Sequence, residues 1–205
     1  MKTKFIFAVV FIFSVQIVNA QTWGLKGGVN FANVTIKMNG ASASPKSLTG
    51  FHFGIIGDFN LKENLYFNTG LFYTQKGFSG EAGSEVGNIK ETANYLEIPL
   101  NIAYKIPIKD KTKFFFQAGP YIAYGIGVKQ EAGGESQSGS FSDAGLKKFD
   151  YGLGVGGGME FGVLVASINY QIGLADINDA HDVADAGMKH KVLQISLAYM
   201  FSKKK

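Results

Sequence analysis

The chain has 205 residues, of which 46% are hydrophobic, 14% aromatic and 18% charged, a composition that excludes an intrinsically disordered protein and suits one domain. It has no cysteine, so no disulfide stabilises the fold. Its 20 basic residues are all lysines, scattered among 16 acidic residues, and arginine, the side chain best suited to bidentate phosphate contacts, is absent. Binding of nucleic acid is therefore not expected.

The first 20 residues have the organisation of a secretory signal peptide. Lys2 and Lys4 supply positive charge, residues 5–13 form an apolar run, and residues 18–20 offer a small-residue cleavage site. The run is too short to cross a bilayer as a helix, which takes roughly 20 apolar residues. We therefore predict cleavage during export and a mature protein that begins at Gln21. The alternative, an uncleaved anchor, is disfavoured by the polar residues that follow the run.

The remaining chain, residues 21–205, shows repeated alternation of apolar with polar or small residues, which is typical of β-strands with one face in an apolar environment. In the fourth such segment, for example, Leu96, Ile98 and Ile102 share one face while Glu97 and Lys105 share the other. Eight segments alternate in this way, and in chain order they cover residues 23–31, 51–59, 65–76, 95–106, 114–126, 149–161, 164–172 and 193–201.

The connections between these segments alternate in length. Four long connections, rich in Gly, Ser, Asp and Glu, cover residues 37–49, 79–92, 129–148 and 175–189, and three short ones cover residues 60–64, 107–113 and 161–163. Short periplasmic turns and long external loops are typical of outer-membrane barrels. The sequence therefore predicts an all-β fold, an eight-stranded antiparallel up-and-down transmembrane β-barrel, with both chain ends in the periplasm.

The size of such a barrel predicts which face of each strand points outward. An eight-stranded barrel has an interior only just wide enough for side chains to fill, so roughly five large apolar side chains from each strand would not fit inside. The apolar faces should meet lipid, and aromatic residues should form two girdles: Trp23, Phe59, Tyr104, Phe114 and Tyr199 near the short turns, and Tyr73, Tyr124 and Tyr151 near the long loops. A soluble lipocalin-like ligand carrier, with the opposite orientation, is the alternative.

Three segments of the chain resemble the PorT-like outer-membrane β-barrel proteins of Bacteroidota. They are Gly24-Leu25-Lys26-Gly27-Gly28-Val29-Asn30-Phe31, Tyr95-Leu96-Glu97-Ile98-Pro99-Leu100 and Tyr151-Gly152-Leu153-Gly154-Val155-Gly156-Gly157-Gly158. The resemblance covers essentially all of the mature chain. It implies a bacterial outer-membrane location, insertion by the barrel-insertion machinery, and a role as an accessory of a protein secretion or assembly system. One departure is the end of the chain, where Phe201 is followed by Ser-Lys-Lys-Lys rather than standing last.

Several charged residues fall on the predicted inward face. Lys26, Asp58, Lys105 and Glu160 lie toward the short turns, whereas Lys76 and Glu97 lie toward the long loops. Because buried charges are tolerated mainly as pairs, we predict an ionic network in the lumen, with Lys26 paired to Asp58 and to Glu160, and Lys76 paired to Glu97. Such a network would plug the lumen. The alternative is a narrow ion path or a proton-binding site.

Three patterns that could carry chemistry are better explained by structure. The run Gly152-Leu-Gly154-Val-Gly156-Gly157 fits G-x-G-x-x-G, but strand alternation continues on both sides of it where a phosphate site needs a helix. The acidic residues of segment 175–189 miss the spacing of a calcium-binding loop. The three histidines, His52, His181 and His190, do not fall beside a hydroxyl and an acid at a predicted rim. No cofactor, metal or catalytic residue is therefore predicted.

The sequence as a whole predicts a non-enzymatic integral outer-membrane barrel with a plugged lumen. Its long loops would contact partners in the envelope or outside the cell. A secretion or assembly accessory and a soluble ligand carrier are the alternatives.

Overall fold

A computed structural model describes residues 21–38, 41–81, 88–179 and 187–201. The predicted signal peptide lies outside the described residues. The described chain forms ten strands: β1 (Gln21–Met38), β2 (Ala41–Ala43), β3 (Lys46–Lys62), β4 (Leu65–Glu81), β5 (Asn88–Lys109), β6 (Thr112–Ala132), β7 (Glu135–Gly139), β8 (Phe149–Phe161), β9 (Leu164–Gly173) and β10 (Gly187–Phe201). Within these ranges, no helix has the length and apolar character that a membrane crossing requires.

Eight of the strands close into a ring. Each pairs antiparallel with its neighbours in the order β1, β3, β4, β5, β6, β8, β9, β10, and β10 pairs again with β1. Gly28 of β1, for instance, lies opposite His52 of β3 on one side and Ser196 of β10 on the other. The predicted eight-stranded antiparallel barrel is confirmed. The two remaining strands, β2 and β7, pair with β1 and β6 and belong to the long connections.

The strands on one side of the ring continue well beyond the barrel. β5 has 22 residues and β6 has 21, whereas a tilted strand needs about 9–11 residues to cross a bilayer. Residues 77–81, 88–94, 127–132 and 135–139 form this part of the sheet, which we call the loop-side extension. Much of the two predicted long connections, residues 79–92 and 129–148, is therefore strand.

A tight turn explains how β7 folds back along β6. Gly133 and Gly134 join the two strands with φ values of 59° and 88°, a left-handed backbone conformation that glycine adopts without strain. The five residues of β7 are polar or small and exposed, so they show no alternation of apolar and polar residues. This is why the alternation pattern missed the strand.

The two faces of the barrel wall differ as the alternation predicted. Large apolar side chains stand on the outer face, where Leu25 is 57% and Leu197 is 70% exposed. The inner face carries small, amide and charged residues, among them buried Asn30, Gln117 and Glu97. An apolar exterior around a polar lumen is the arrangement expected of a barrel in lipid.

An apolar cluster closes the loop-side end of the lumen. Phe141 and Leu146 from segment 140–148, together with Ile177 from segment 174–179, are buried against Tyr95 of β5. Backbone hydrogen bonds hold these segments side by side, because the Lys147 N–H donates to the Ile177 carbonyl at 2.9 Å and the Ile177 N–H donates to the Met188 carbonyl at 2.9 Å. We call these two segments the apolar cap.

A glycine makes room for the central ring of the cap. A Cβ atom at Gly125 would lie 2.3 Å from Cζ of Phe141, closer than real Cβ contacts come. The Phe141 ring therefore occupies the space above Gly125, edge-on to Tyr95 with the ring centroids 5.1 Å apart.

Candidate functional site

Near the short turns, a lysine between two carboxylates crosses the lumen. Lys105 Nζ of β5 lies 2.5 Å from Asp58 Oδ2 of β3 and also contacts Glu160 Oε1 of β8. β3 and β8 stand four places apart in a ring of eight, so the group spans the full width of the barrel. Asn68 donates a hydrogen bond to Asp58, and the Lys105 ammonium lies 4.2 Å from the centre of the Tyr66 ring. We call Asp58, Lys105 and Glu160 the lower triad.

Toward the long loops, a second lysine repeats this arrangement. Lys76 Nζ of β4 lies 2.8 Å from Glu97 Oε2 of β5 and 2.9 Å from Asp150 Oδ2 of β8. Lys76 and Asp150 have no exposed surface. The ammonium also lies 4.1 Å from the centre of the Tyr121 ring, a cation–π contact. We call Lys76, Glu97 and Asp150 the upper triad. Asp150 was not among the predicted charges, although alternation in its strand places it on the inward face.

The predicted pairing of Lys26 with Asp58 and Glu160 is wrong. Lys105 holds both carboxylates, while Lys26 makes no ion pair with another residue that the structure describes, and its ammonium lies 5.7 Å from the centre of the Phe72 ring. The reason is the stagger of the barrel. Strand pairing sets Lys26 opposite Gly54, four residues along β3 from Asp58. Alternation identifies inward residues, but it does not specify which of them meet at one height.

Between the triads, a hydrogen-bond network connects four strands. His52 Nδ1 lies 2.7 Å from Asn30 Oδ1, and His52 Nε2 lies 2.9 Å from Ser196 Oγ. The Asn30 amide group donates to Thr74 Oγ1 and to the Gln75 carbonyl, both at 2.9 Å, so its Oδ1 is the acceptor. The His52 Nδ1–H therefore donates a hydrogen bond to Asn30, and His52 Nε2 accepts a hydrogen bond from the Ser196 hydroxyl.

The order Ser196, His52, Asn30 is that of a nucleophile, a base and a group that orients the base. All three side chains are buried. The cavity next to His52 has a volume of about 30 Å³, which is room for about two water molecules. The arrangement thus has the hydrogen bonds of a catalytic triad beside a small cavity.

Further contacts cross the lumen at other heights. Tyr95 Oη of β5 lies 3.3 Å from His190 Nε2 of β10, which stands directly across the ring. Gln171 donates to Glu97 at 2.7 Å. A second cavity of about 30 Å³ lies beside the lower triad, and Lys26 borders both cavities. Side chains from opposite strands therefore meet inside the barrel at several heights, and Lys26 lies beside two small cavities between them.

The predicted girdle residues lie on the outer face of the barrel. All but one of them are exposed or half-buried. Trp23, Tyr104, Tyr124, Tyr151 and Tyr199 are exposed, and Tyr73 and Phe114 are half-buried. Phe59, however, is only 8% exposed. Its ring lies over Gly57 and meets Trp23 edge-on at 5.4 Å between centroids, so neighbouring groups cover it. Gly57 precedes Phe59 by two residues on β3, so both residues face outward and the missing side chain of Gly57 leaves room for the Phe59 ring.

The remaining candidates of the sequence do not assemble into a site. The glycine run from Gly152 continues through strand β8, with no helix at its end. His190 lies in the lumen, and His181 is outside the described residues. Asp176 accepts the backbone N–H groups of Asn178 and Met188, and the described part of segment 175–189 shows no group of three acids or histidines that could hold a metal.

The comparisons with known proteins agree with this geometry. The family described as outer membrane protein beta-barrel domain matches residues 19–179. The chain belongs to this family. It is an outer-membrane β-barrel protein, and its place is the bacterial outer membrane. A search of curated proteins found no match.

Solved structures of outer-membrane barrels also resemble this one. Ail, the attachment invasion locus protein of Yersinia pestis, is 15% identical, with 89% of this chain and 99% of that chain covered and a TM-score of 0.45. OprG from Pseudomonas aeruginosa is 16% identical, covering 89% and 96%, with a TM-score of 0.45. Neisserial surface protein A is 14% identical, covering 86% and 97%, with a TM-score of 0.44.

Proposed function

We propose that this protein is a non-enzymatic outer-membrane barrel with a plugged lumen, and that its loop-side extension contacts partners in the envelope or outside the cell. The observation that carries the proposal is the closure of the lumen at three heights. The lower triad joins opposite strands, the upper triad fills the section above it, and the apolar cap covers the loop-side end. A path for ions or solutes would have to break all three.

The absence of catalysis is supported by the same crowding. A hydrolase needs a nucleophile and base that a substrate can reach, with room for the reacting group. Ser196 and His52 have the right contacts, but they lie between the triads, beside a cavity with space for about two waters. The crowded lumen also argues against the soluble ligand carrier, which would need an internal cavity large enough for its ligand.

The loop-side extension is the surface that we assign to partners. Its strands reach beyond the length needed to cross the bilayer, and charged and amide side chains such as Lys90, Lys129 and Gln130 are exposed on it. Resemblance to the PorT-like proteins supports a partner that belongs to a secretion or assembly system. Detergent extraction of the native protein should then recover envelope proteins, and a variant with the β6–β7 hairpin (residues 127–139) shortened should lose them. Recovery of the same proteins with the shortened variant would contradict this assignment.

Conductance in planar bilayers tests the plugged lumen. The unmodified protein should give no sustained current. A variant that removes the upper triad and the cap ring (Lys76→Ala, Glu97→Ala, Asp150→Ala and Phe141→Ala) should show frequent openings. The matched control carries Phe116→Ala and Lys129→Ala, which remove one ring from the lipid-facing surface and one exposed lysine, and it should stay silent. Sustained open currents through the unmodified protein would overturn the proposal.

A further inference from the structure

Four lysines lie together at the loop-side end of strands β8 to β10. Lys189 and Lys191 are on the outer face of β10, because His190 and Val192, which alternate with them, are buried in the lumen. Lys147 and Lys148 are exposed directly before β8. We call these four residues the basic band. It lies outside the lumen, and its Lys148 adjoins β6, because the Lys148 carbonyl accepts the Gly125 N–H at 2.7 Å.

Backbone pairing brings the two halves of the basic band together. Segment 174–179 lies between them, since the Lys147 N–H donates to the Ile177 carbonyl and the Ile177 N–H donates to the Met188 carbonyl, both at 2.9 Å. Lys147 and Lys189 therefore flank one extended segment. On the far side of β10, Lys189 lies opposite Thr35 and Lys191 opposite Asn33, and both of these β1 partners are uncharged.

Lipid-facing residues lie immediately below the basic band. Lys191 is paired with Ile172 of β9, and Ile172, Leu174 and Tyr151 are exposed on the outer face. Lys189 is two residues further from the membrane than Lys191, a rise of about 5 Å for a tilted strand. The lysines therefore sit where the apolar belt ends and the headgroup region begins.

Within the described ranges, the charge of the basic band is not neutralised by neighbouring acids. None of its four lysines forms an ion pair with another residue of the described ranges. Asp150, two residues after Lys148, is held in the lumen by Lys76, and Asp176 has an oxygen that accepts two backbone N–H groups.

The lysines of the loop-side extension differ in this respect. Lys129 and Lys90 of the loop-side extension lie 2.6 Å and 3.8 Å from the carboxylate oxygens of Glu131. The hydrogen bond from Lys129 is the main reason why the pKa of Glu131 lies below its ordinary value. These two lysines therefore share Glu131 as a negative partner. The lysines of the basic band have no such partner among the described residues.

We propose that the basic band binds the phosphate groups of the glycolipid that forms the outer leaflet of the outer membrane. Ammonium groups at a membrane surface attract anionic headgroups, and lysine binds phosphate well as a point charge. The apolar residues below the lysines would contact the acyl chains of the same lipid molecule. A phosphorylated glycolipid satisfies both halves of this surface, and the long connections place the basic band on the external side.

Binding of purified lipid A to the folded protein in detergent micelles tests this proposal. Native mass spectrometry would count bound lipid for lipid A with its phosphates, for lipid A after phosphatase treatment, and for phosphatidylglycerol. The variants are Lys147→Gln, Lys148→Gln, Lys189→Gln and Lys191→Gln combined, and a control with Lys90→Gln and Lys129→Gln. The slower migration of heat-treated protein on gels would confirm that each variant is folded before titration.

Phosphorylated lipid A should bind the unmodified protein and the control at least about tenfold more tightly than the other two lipids, since each lysine at a membrane surface contributes about fivefold. The fourfold variant should lose this preference, and added salt should weaken it. Equal binding of lipid A with and without phosphate would overturn the proposal. So would tight binding by the fourfold variant, and equal binding of phosphatidylglycerol would show that the surface does not select the glycolipid.

Discussion

At the scale of single residues, the lumen is organised around two lysines that each hold two carboxylates. Lys76 and Lys105 sit on adjacent strands, yet each reaches an acid on β8, so the same far strand is bound twice at different heights. Attraction between buried ions offsets their loss of hydration only when the geometry is close and the remaining hydrogen bonds are made. Both triads have close contacts and an aromatic ring beside the ammonium group. The hydrogen bonds of the upper triad are incomplete, because Asp150 Oδ1 is buried without a partner among the described residues.

Removal of the upper lysine alone should be far more damaging than removal of the whole triad. Lys76→Met leaves Glu97 and Asp150 buried without a cation, which should lower the free energy of unfolding by about 3–5 kcal/mol. Adding Glu97→Gln and Asp150→Asn should recover most of that loss. Urea unfolding of the protein in lipid vesicles, followed by tryptophan fluorescence, measures both values.

The matched control for this prediction is Lys90→Met. Lys90 lies 3.8 Å from Glu131 and both side chains are well exposed, so the change should stay within about 1 kcal/mol. A loss for Lys76→Met no larger than that of the control would show that the upper triad adds nothing to stability.

The residue scale also shows what alternation could and could not predict. It placed Lys26, Lys76 and Lys105 on the inner face, because the period of two fixes the direction of every side chain in a strand. It did not predict their partners, since these depend on how far each strand is displaced along the barrel axis. Asp58 therefore meets Lys105 from two strands away, and Lys26, on the adjacent strand, stays apart from it.

At the scale of elements, the long connections contain more structure than their composition indicates. Phe141, Leu146 and Ile177 are isolated apolar residues in segments of Gly, Ser and Asp, and three residues spread over nearly forty positions have no period. Their burial depends on the closed barrel mouth, which forms only after all eight strands are in place. The eight barrel strands could thus be predicted from local pattern, and the apolar cap could not.

The apolar cap should become less stable when the Phe141 ring is removed. Phe141→Ala takes away the contact with Tyr95 and leaves a hole above Gly125, a change that typically costs about 3–5 kcal/mol in a packed core. Amide hydrogens of the cap, above all that of Leu146, which donates to the Phe141 carbonyl at 2.8 Å, should then exchange at least tenfold faster. Hydrogen exchange followed by mass spectrometry measures this.

Phe116→Ala provides the matched change for the cap experiment, because that ring stands on the lipid-facing surface at 57% exposure. Its removal should leave exchange in segments 140–148 and 174–179 unchanged. Equal acceleration by both substitutions, or none by Phe141→Ala, would show that the cap is not held by its central ring.

The loop-side extension should respond to pH through Glu91. Burial raises the pKa of Glu91, and a hydrogen bond of 2.9 Å from Gln130 only partly opposes this. An acid with a raised pKa binds its proton more tightly in the folded state. The extension should therefore be most stable below the ordinary pKa of glutamate and lose that stability as pH rises through the raised value. The measurement is the protection factor of the Gln130 backbone amide, which is the exchange rate corrected for its intrinsic dependence on pH. It should fall over this range in the native protein and stay level in Glu91→Gln.

At the scale of the whole molecule, the protein is a barrel with its apolar surface outside. Leu197 at the middle of β10 illustrates this, since it lies between Gly27 of β1 and Ala166 of β9 and is left 70% exposed by these small neighbours. In water, such a surface would cause aggregation. In a bilayer, the same surface contacts lipid chains and keeps the barrel inserted. Inside the barrel, the two triads link strands across the lumen.

A charge at the middle of this surface should therefore be costly only in a membrane. Leu197→Lys should lower the free energy of unfolding from lipid vesicles by about 2–4 kcal/mol, because an ammonium group at the bilayer midplane loses its hydration. Leu197→Ala separates this effect from the loss of the leucine itself, and Phe201→Lys, at the membrane boundary, should cost much less for its charge. If the lysine at 197 were no worse than the alanine, that part of β10 would be in contact with water, and the outward face of the barrel would not be embedded in lipid.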